Sequence, residues 1–357
     1  MKDKGALETV GYDFVHNGFK LYGVHFNAVD LVHNIEVFIK EGDEYQKELG
    51  QFIYDWFNKL PYIEITTSGT TGKPKTIRID KQAMVNSALA TGNYFDLWPG
   101  NKVLHCLPIR FIAGKTMLVR AFILGLDVDF VKPTSRPLKN NHIKYDFAAM
   151  VPLQVQNSLE DLGNVKKIII GGARIDHALE EQILKLPIEA YETYGMTETI
   201  THVAAKRVGE KAFTVLPNVK ISTDEKRCLF IKAPKISKTV IATNDIVNII
   251  SETQFEFLGR YDNVVNSGGI KLMPEVIENK LGKYISNRFF VIGVPDSVLG
   301  EKLILVIKKK KQTLDESIFN SLDKYEKPKE IFFVEKFIET ENGKCKRAET
   351  LEIALKG

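Results

Sequence analysis

Only three cysteines occur in the chain, Cys106, Cys228 and Cys345, an odd number set far apart. They give no disulfide framework, and the expectation is a reducing, cytoplasmic setting. Together with the seven histidines they form no metal-ligand spacing. No apolar run approaches the ~18 residues that span a bilayer. The N-terminal stretch MKDKGALETVGYDF lacks the apolar centre of a signal peptide. An excess of charge is missing too: 49 basic against 45 acidic residues leave +4, too little to argue for nucleic acid. The one basic run, Lys308 to Lys311, follows an apolar LILVI and reads as a solvated strand end. There are no internal repeats and no low-complexity segments. What remains is an ordinary globular chain of 357 residues, 44% hydrophobic and 26% charged, long enough for two domains.

Against these absences one stretch is unusually rich. In EITTSGTTGKPKTIRI, residues 64 to 79, the β-branched Ile65, Thr66 and Thr67 lead into Ser68, Thr70 and Thr71 set around Gly69 and Gly72. Lys73, Pro74 and Lys75 follow, then a second strand-like run. Small residues let successive backbone N–H groups face one concavity, and hydroxyl and ammonium donors complete a cage for phosphate. A plain hairpin turn uses some of the same residues. The pattern is no Walker loop, because only two residues separate Gly69 from Gly72 and Pro74 follows Lys73.

Apolar residues at helical spacing fill 30 to 60, among them Leu31, Ile35, Leu49, Phe52, Ile53 and Trp56. Beyond them short apolar runs alternate with helical segments. Val103–Leu107 precedes a helix at Met117–Leu124, and Val128–Val131 leads to Phe147–Val151. Gln154–Leu162 precedes Ile168–Ile170. This alternation predicts parallel strands with crossover helices, an α/β layered domain with ligands at the carboxyl ends of its strands. In IIIGGARIDHALEEQI (168–183) a strand meets Gly171-Gly172 and a helix capped by Asp176. After residue 210 the texture is strand-rich. FLGRYDNVVNSGGIKLMPEVIENKL (257–281) reads as a junction, with a proline-started helix from Met273. The expected division is 1–259, a large α/β domain, and 260–357, a small α+β domain.

The order of TTSGTTGKPK (66–75), YETYGMTET (191–199), TND (243–245), GRYDNVVNSGG (259–269) and ENGKCKR (341–347) resembles the adenylate-forming superfamily of acyl-CoA and aryl-CoA ligases, over about residues 61 to 350. The resemblance implies an acid–thiol ligase that joins a carboxylate to the α-phosphate of ATP, releases pyrophosphate, and passes the acyl group to CoA. It implies Mg²⁺ and residue roles as follows. Thr67, Ser68, Gly69, Thr70, Thr71 and Lys75 would wrap the β- and γ-phosphates. Thr197 would meet the α-phosphate, and Glu198 would hold Mg²⁺. Tyr194, with Gly195 beside it, would cover one face of adenine, with Gly171, Gly172 and Ala173 on the other. Asp245 would accept the ribose hydroxyls and Arg260 would add a donor. Asn244 stands where the family has glycine, a fit if that turn needs a left-handed residue. Lys344 would bridge carboxylate and phosphate in the first half-reaction. Asp262 would be the hinge of a mobile C-terminal domain. Ser267, Gly268, Gly269 and Lys271 would line the channel for CoA.

Within the superfamily, LPIRFIAGKTMLVRA (107–121), YGMTET and SGGIKLMPEVIE are most similar to the o-succinylbenzoate-activating branch, which serves menaquinone biosynthesis. That branch shows an aromatic–histidine pair where this chain has Arg110 and Phe111. Its acid carries a second carboxylate, for which Arg110, Lys115, Arg120 and Arg174 are candidates. Lys115 and Arg174 are favoured because they adjoin turns expected at the acyl pocket. Other aryl- or acyl-CoA ligases, a carrier-protein loader, or a catalytically silent nucleotide-binding member are the alternatives. The partners implied are the small-molecule acid, ATP and CoA, with no nucleic acid and no membrane insertion; a homo-oligomer is compatible with the sequence.

Overall fold

The computed structural model describes residues 10–67, 75–310, 314–340 and 345–356. They form two compact units, one of Met1–Gly171, Leu186–Lys220 and Lys232–Ile241, the other of Gly172–Lys185, Ile221–Ile231 and Ala242–Gly357.

In the first unit a short hairpin, β1 (Lys20–Leu21) and β2 (Val24–His25), precedes α1 (Ala28–Glu41) and α2 (Glu44–Phe57). The Asn27 side chain caps α1 by accepting from Val29 N (2.8 Å) and Asp30 N (2.9 Å), and the Asp30 carboxylate accepts from Asn27 N. Next come the hairpin β3 (Tyr62–Thr67) and β4 (Lys75–Asp80) and then α3 (Lys81–Phe95), started by Asp80, which accepts from Ala83 N. The layered part follows: β5 (Lys102–His105), α4 (Ile112–Leu124), β6 (Asp127–Phe130), β7 (Tyr145–Met150), α5 (Pro152–Asn157) and β8 (Val165–Ile170). In the second unit α6 (His177–Leu184) is capped by Asp176, which accepts from Leu179 N at 2.8 Å. The chain returns to the first unit with β9 (Glu189–Gly195), β10 (His202–Arg207) and β11 (Ala212–Val215).

The neighbours run β2, β1, β6, β5, β7, β8, β9, β10, β11. Every pair from β1 to β9 is parallel; β10 and β11 add antiparallel. Parallel strands need both faces covered, which is why these read as continuous apolar runs. From Met117 to Leu124 α4 is buried all round, so it is a core helix rather than an amphipathic one. It begins five residues earlier than its apolar run suggests. Phe19, Phe52, Trp56, Phe95, Phe122, Phe130 and Phe147 complete the core.

The second unit holds β12 (Lys220–Thr223), β13 (Cys228–Lys232), β14 (Ile241–Ser251) and β15 (Gln254–Arg260). A separate sheet contains β16 (Val265–Ser267), β17 (Ile270–Leu272), β18 (Phe289–Asp296), β19 (Gly300–Lys308) and β20 (Glu330–Val334). The helices α7 (Pro274–Leu281) and α8 (Arg347–Lys356) belong here. Pro274 is the first helical residue of α7, where its missing N–H would have no partner anyway. Alternation along β19 sends Leu303, Leu305 and Ile307 to one core, with Ile277 and Leu281, and Ile304 and Val306 to another, with Phe337 and Ala354.

Candidate active site

The carboxyl ends of β8 and β9 lie side by side in parallel register, Ile170 opposite Glu192. At the end of β8, Gly171 N donates to Met150 O, and Thr193 Oγ1 donates to Ile170 O. A Cβ on Gly171 would come within 2.8 Å of Thr193 Oγ1. At the end of β9, Gly195 faces His202 of β10, and a Cβ there would meet Thr201 O at 2.3 Å and His202 Cα at 2.6 Å. Only glycine allows that approach.

Between the two strands Thr197–Thr199 make a single 3-10 turn. Ile200 then takes φ +67° and ψ −53°, while Thr201 N donates to Thr199 O at 2.7 Å. This is a γ-turn with positive φ, rare for any residue and sterically poor for a β-branched one. Backbone of this kind costs about 1–3 kcal/mol and persists where its surroundings over-determine it, commonly at ligand sites. The turn leaves Glu198 exposed and Thr197 half-buried, with the Tyr194 ring 5.9 Å from that of Phe213.

Beneath the turn lies a buried basic cluster. Arg120, 2% exposed, reaches from α4 and donates through Nη2 to Thr201 Oγ1 at 3.1 Å. Among the described residues its Nη1 meets only the Met117 sulfur, at 3.9 Å, and its Nε has no partner. Burial pulls the Arg120 guanidinium down to about 10, with no acidic group among the causes. His202 is buried and held well below its ordinary value, by burial first and Arg120 second. His105 falls to about 4 by burial; its Nε2 donates to Gly114 O at 2.9 Å, and its Nδ1 is unpartnered. Three basic side chains thus share one buried region, one of them charged, two of them with orphaned nitrogens.

The other cationic candidates lie elsewhere. Lys115 sits over the Phe52 ring at 4.8 Å; burial lowers its ammonium pKa, partly offset by Asp55 and Glu48. It lines a cleft of ≈ 380 Å³ with Phe52, Glu48, Asp55 and Arg110. Arg110 is exposed, over the Phe111 ring and 3.5 Å from Glu48. Arg174, in the second unit after Gly172 (φ +86°) and Ala173, is exposed and lowers the Glu278 carboxyl through its charge. The sequence reading set Arg120 behind Lys115 and Arg174. The signal that could have raised it is plain: it is the one charge in TMLVRAFIL, residues 116 to 124.

In the second unit Asp245 and Arg260 face each other across the antiparallel pair β14 and β15, with Arg260 Nε 3.9 Å from Asp245 Oδ1. The segment 243–245 was expected in a turn and lies instead inside an eleven-residue strand. Asn244 is not among the positive-φ residues. It lies within β14, one residue before the Asp245↔Arg260 pair, and Asn244 Nδ2 donates to the Asp262 carboxylate at 3.1 Å. Arg260 Nη2 donates to the same carboxylate at 3.0 Å. Gly268 (φ +59°) and Gly269 (φ +82°) turn the chain between β16 and β17, as a type I′ hairpin requires. Half-buried Ser267 pairs with Ile270 there, and exposed Lys271 pairs with Asn266.

Nearby, on α7, Glu275 is buried and Glu278 half-buried against Arg347 of α8. Arg347 Nη2 donates to Glu278 Oε2 at 2.9 Å, and Asn263 Nδ2 donates to Glu275 Oε1. Burial outweighs the Arg347 charge and lifts the Glu278 carboxyl to about 7.

The β3–β4 hairpin keeps one-to-one register from Tyr62↔Asp80 to Thr67↔Lys75, so the two strands are paired up to the residues on either side of 68–74. Ser68, Gly69, Thr70, Thr71 and Lys344 lie outside the described residues, as do the side chains of Thr67 and Lys75.

A family model described as AMP-binding enzyme matches residues 58–226. A structure described as an acyl-CoA synthetase (AMP-forming)/AMP-acid ligase II-like protein from Dyadobacter fermentans is 33% identical, covering 90% of this chain and 97% of its own at a TM-score of 0.61. The o-succinylbenzoate coenzyme A synthetase of Bacillus subtilis, solved in complex with ATP and magnesium ion, shares the fold at 20% identity and a TM-score of 0.69, with 81% of this chain and 69% of that one covered. A 2-succinylbenzoate–CoA ligase of Haemophilus influenzae is 26% identical over 269 residues, 68% of this chain. The chain spans 58% of that relative's length.

Proposed function

Because the chain belongs to the AMP-binding enzyme family, we propose that it is an acid–CoA ligase that adenylates o-succinylbenzoate with ATP and then forms o-succinylbenzoyl-CoA. The observation that carries the choice of acid is Arg120, a buried guanidinium with no carboxylate paired to it among the described residues, next to the Thr197–Thr201 turn. An uncompensated buried charge is costly, and an acid with a spare carboxylate supplies the missing anion.

The chemistry must bring two anions together and neutralise them. In this reading Glu198 holds Mg²⁺ against the phosphates. One exposed carboxylate suits that ion, which binds through one or two carboxylates plus substrate phosphates and water. Bound Mg²⁺ would offset phosphate charge as it builds up. Thr197 donates to the α-phosphate, and the 68–74 loop, with Thr67 and Lys75 at its base, wraps the β- and γ-phosphates. Tyr194 and Gly195 cover adenine on one side, with Gly171, Gly172 and Ala173 on the other. Asp245 accepts from the ribose hydroxyls; Arg260 adds a donor. Lys344 bridges the substrate carboxylate and α-phosphate in the first half-reaction. The domain 260–357 then rotates at Asp262, releasing the bonds from Asn244 and Arg260, and brings Ser267, Gly268, Gly269 and Lys271 to the thiol's path.

With Mg²⁺, ATP and o-succinylbenzoate the protein should release pyrophosphate, and with CoA it should yield AMP and the thioester. Formation of ADP and orthophosphate instead would overturn the adenylation reading.

A further inference from the structure

Arg120 stands at the head of a chain of side-chain hydrogen bonds whose direction can be assigned. Thr91 Oγ1 has one proton and spends it on Ser87 O, 2.9 Å away, because a carbonyl can only accept. Towards His202 Nε2, at 3.3 Å, Thr91 Oγ1 must therefore be the acceptor, which puts the ring proton on Nε2. A neutral ring then has a bare Nδ1, which accepts from Thr201 Oγ1 at 3.3 Å. Burial and the Arg120 charge both favour that neutral ring. With its proton so placed, Thr201 Oγ1 presents a lone pair to Arg120 Nη2 at 3.1 Å. Every link runs one way, from Arg120 through Thr201, His202 and Thr91 to Ser87 O.

We propose that His202 is a positioning residue for acid recognition: as the Nε2–H tautomer it orients the Thr201 hydroxyl, which fixes the Arg120 guanidinium so that its unpartnered Nε–H meets the spare carboxylate of the substrate. The proposal rests on the reading of Arg120 as the anchor for that carboxylate. It explains why a histidine, not another donor, stands at 202. The position needs an acceptor facing Thr201 and a donor facing Thr91 on one rigid body, without a second cation beside Arg120. The Phe95 ring, 5.8 Å from the imidazole in an edge-to-face arrangement, keeps that body from turning.

Nitrogen-15 NMR of the histidine rings in the full chain, without ligand, should find His202 as Nε2–H, and Thr201→Val should move its Nδ1 resonance alone. The Nδ1–H tautomer, or no response to Thr201→Val, overturns the chain. In kinetics His202→Leu should raise KM for o-succinylbenzoate about tenfold, the worth of one buried hydrogen bond, with kcat and KM for ATP little changed. His202→Gln can accept through Oε1 and donate through Nε2, and should recover most of the loss. Equal damage from both variants, or a parallel rise in KM for ATP, indicates a merely structural role and overturns the proposal. Arg120→Lys separates the two levels. If it leaves KM for the acid unchanged, the anchor reading fails, and the ring tautomer still decides the chain.

Discussion

Two buried charge clusters, one in each unit, solve opposite problems. In the first unit Arg120 is buried with two neutral histidines and no acid. In the second, buried Glu275 and half-buried Glu278 lie against a single Arg347. The acidic cluster carries its own counter-charge: Arg347 also donates to Val291 O, and Glu278 accepts from Val291 N, while Glu275 Oε2 is left without a hydrogen-bond partner among the described residues. It ties the start of α8 to α7 and β18. The basic cluster leaves donors unused. A buried charge with its partners present serves the fold, whereas one without them points to something that arrives later.

That contrast can be broken first by deleting each cation. Arg120→Met should cost about 2–4 kcal/mol in kcat/KM for o-succinylbenzoate, as expected when a buried charge pair loses one member. It should leave the melting temperature equal or higher, because no native carboxylate is stranded. Arg347→Met should do the reverse, lowering stability by about 2–3 kcal/mol, since it leaves Glu275 and Glu278 side by side without the cation that holds them. Urea unfolding and steady-state kinetics on both variants check this. Similar stability losses in the two would refute the distinction.

A second test uses acidity. Glu278 keeps its proton in the native state where the unfolded chain has lost it, so its contribution to stability falls as pH rises from 4.5 to about 7. His202 is held neutral where the unfolded ring would charge, so its contribution is lost as pH falls below 6.5. Between pH 5 and 6.5 the two units should respond in opposite directions, the Glu278 response being on the order of 1–2 kcal/mol. Hydrogen exchange, corrected for intrinsic rates and read on peptides from α7 and β10, measures it. Glu278→Gln should abolish the α7 response; a shared direction in both units would contradict the assignment.

The smallest effect sharpens the comparison from outside. Arg110 is exposed and its contact with Glu48 is long, so Arg110→Ala should change stability by less than about 0.5 kcal/mol and leave KM for the acid alone. A tenfold rise in that KM would move the anchor away from Arg120.

The parallel layers were legible because short, largely apolar runs such as Ile168–Ile170 and Val103–Leu107 are what a doubly covered strand demands. The caps Asp176 and Pro274 were legible because they act within one turn of chain. Burial of a charge was not. The apolar run TMLVRAFIL marks Arg120 as the odd charge in its segment, but that α4 is enclosed on every side is a tertiary fact. Asn244 fell short for a related reason: its local preference for a turn yields to its place inside the strand β14, which tertiary context supplies.

Ile200 is a place where two requirements of the chain disagree. Its backbone would favour glycine by about 1–2 kcal/mol, while its side chain, 4% exposed, gains about 1.5–3 kcal/mol from burial. The terms nearly cancel, so the position is locally frustrated, in the sense that no residue satisfies backbone and core together. A library selected for folding alone would find it almost silent, with isoleucine and glycine surviving at similar frequency. A library selected for adenylate formation would not, because the side chain that fills the core also sets where the Thr197 hydroxyl and the Glu198 carboxylate come to rest.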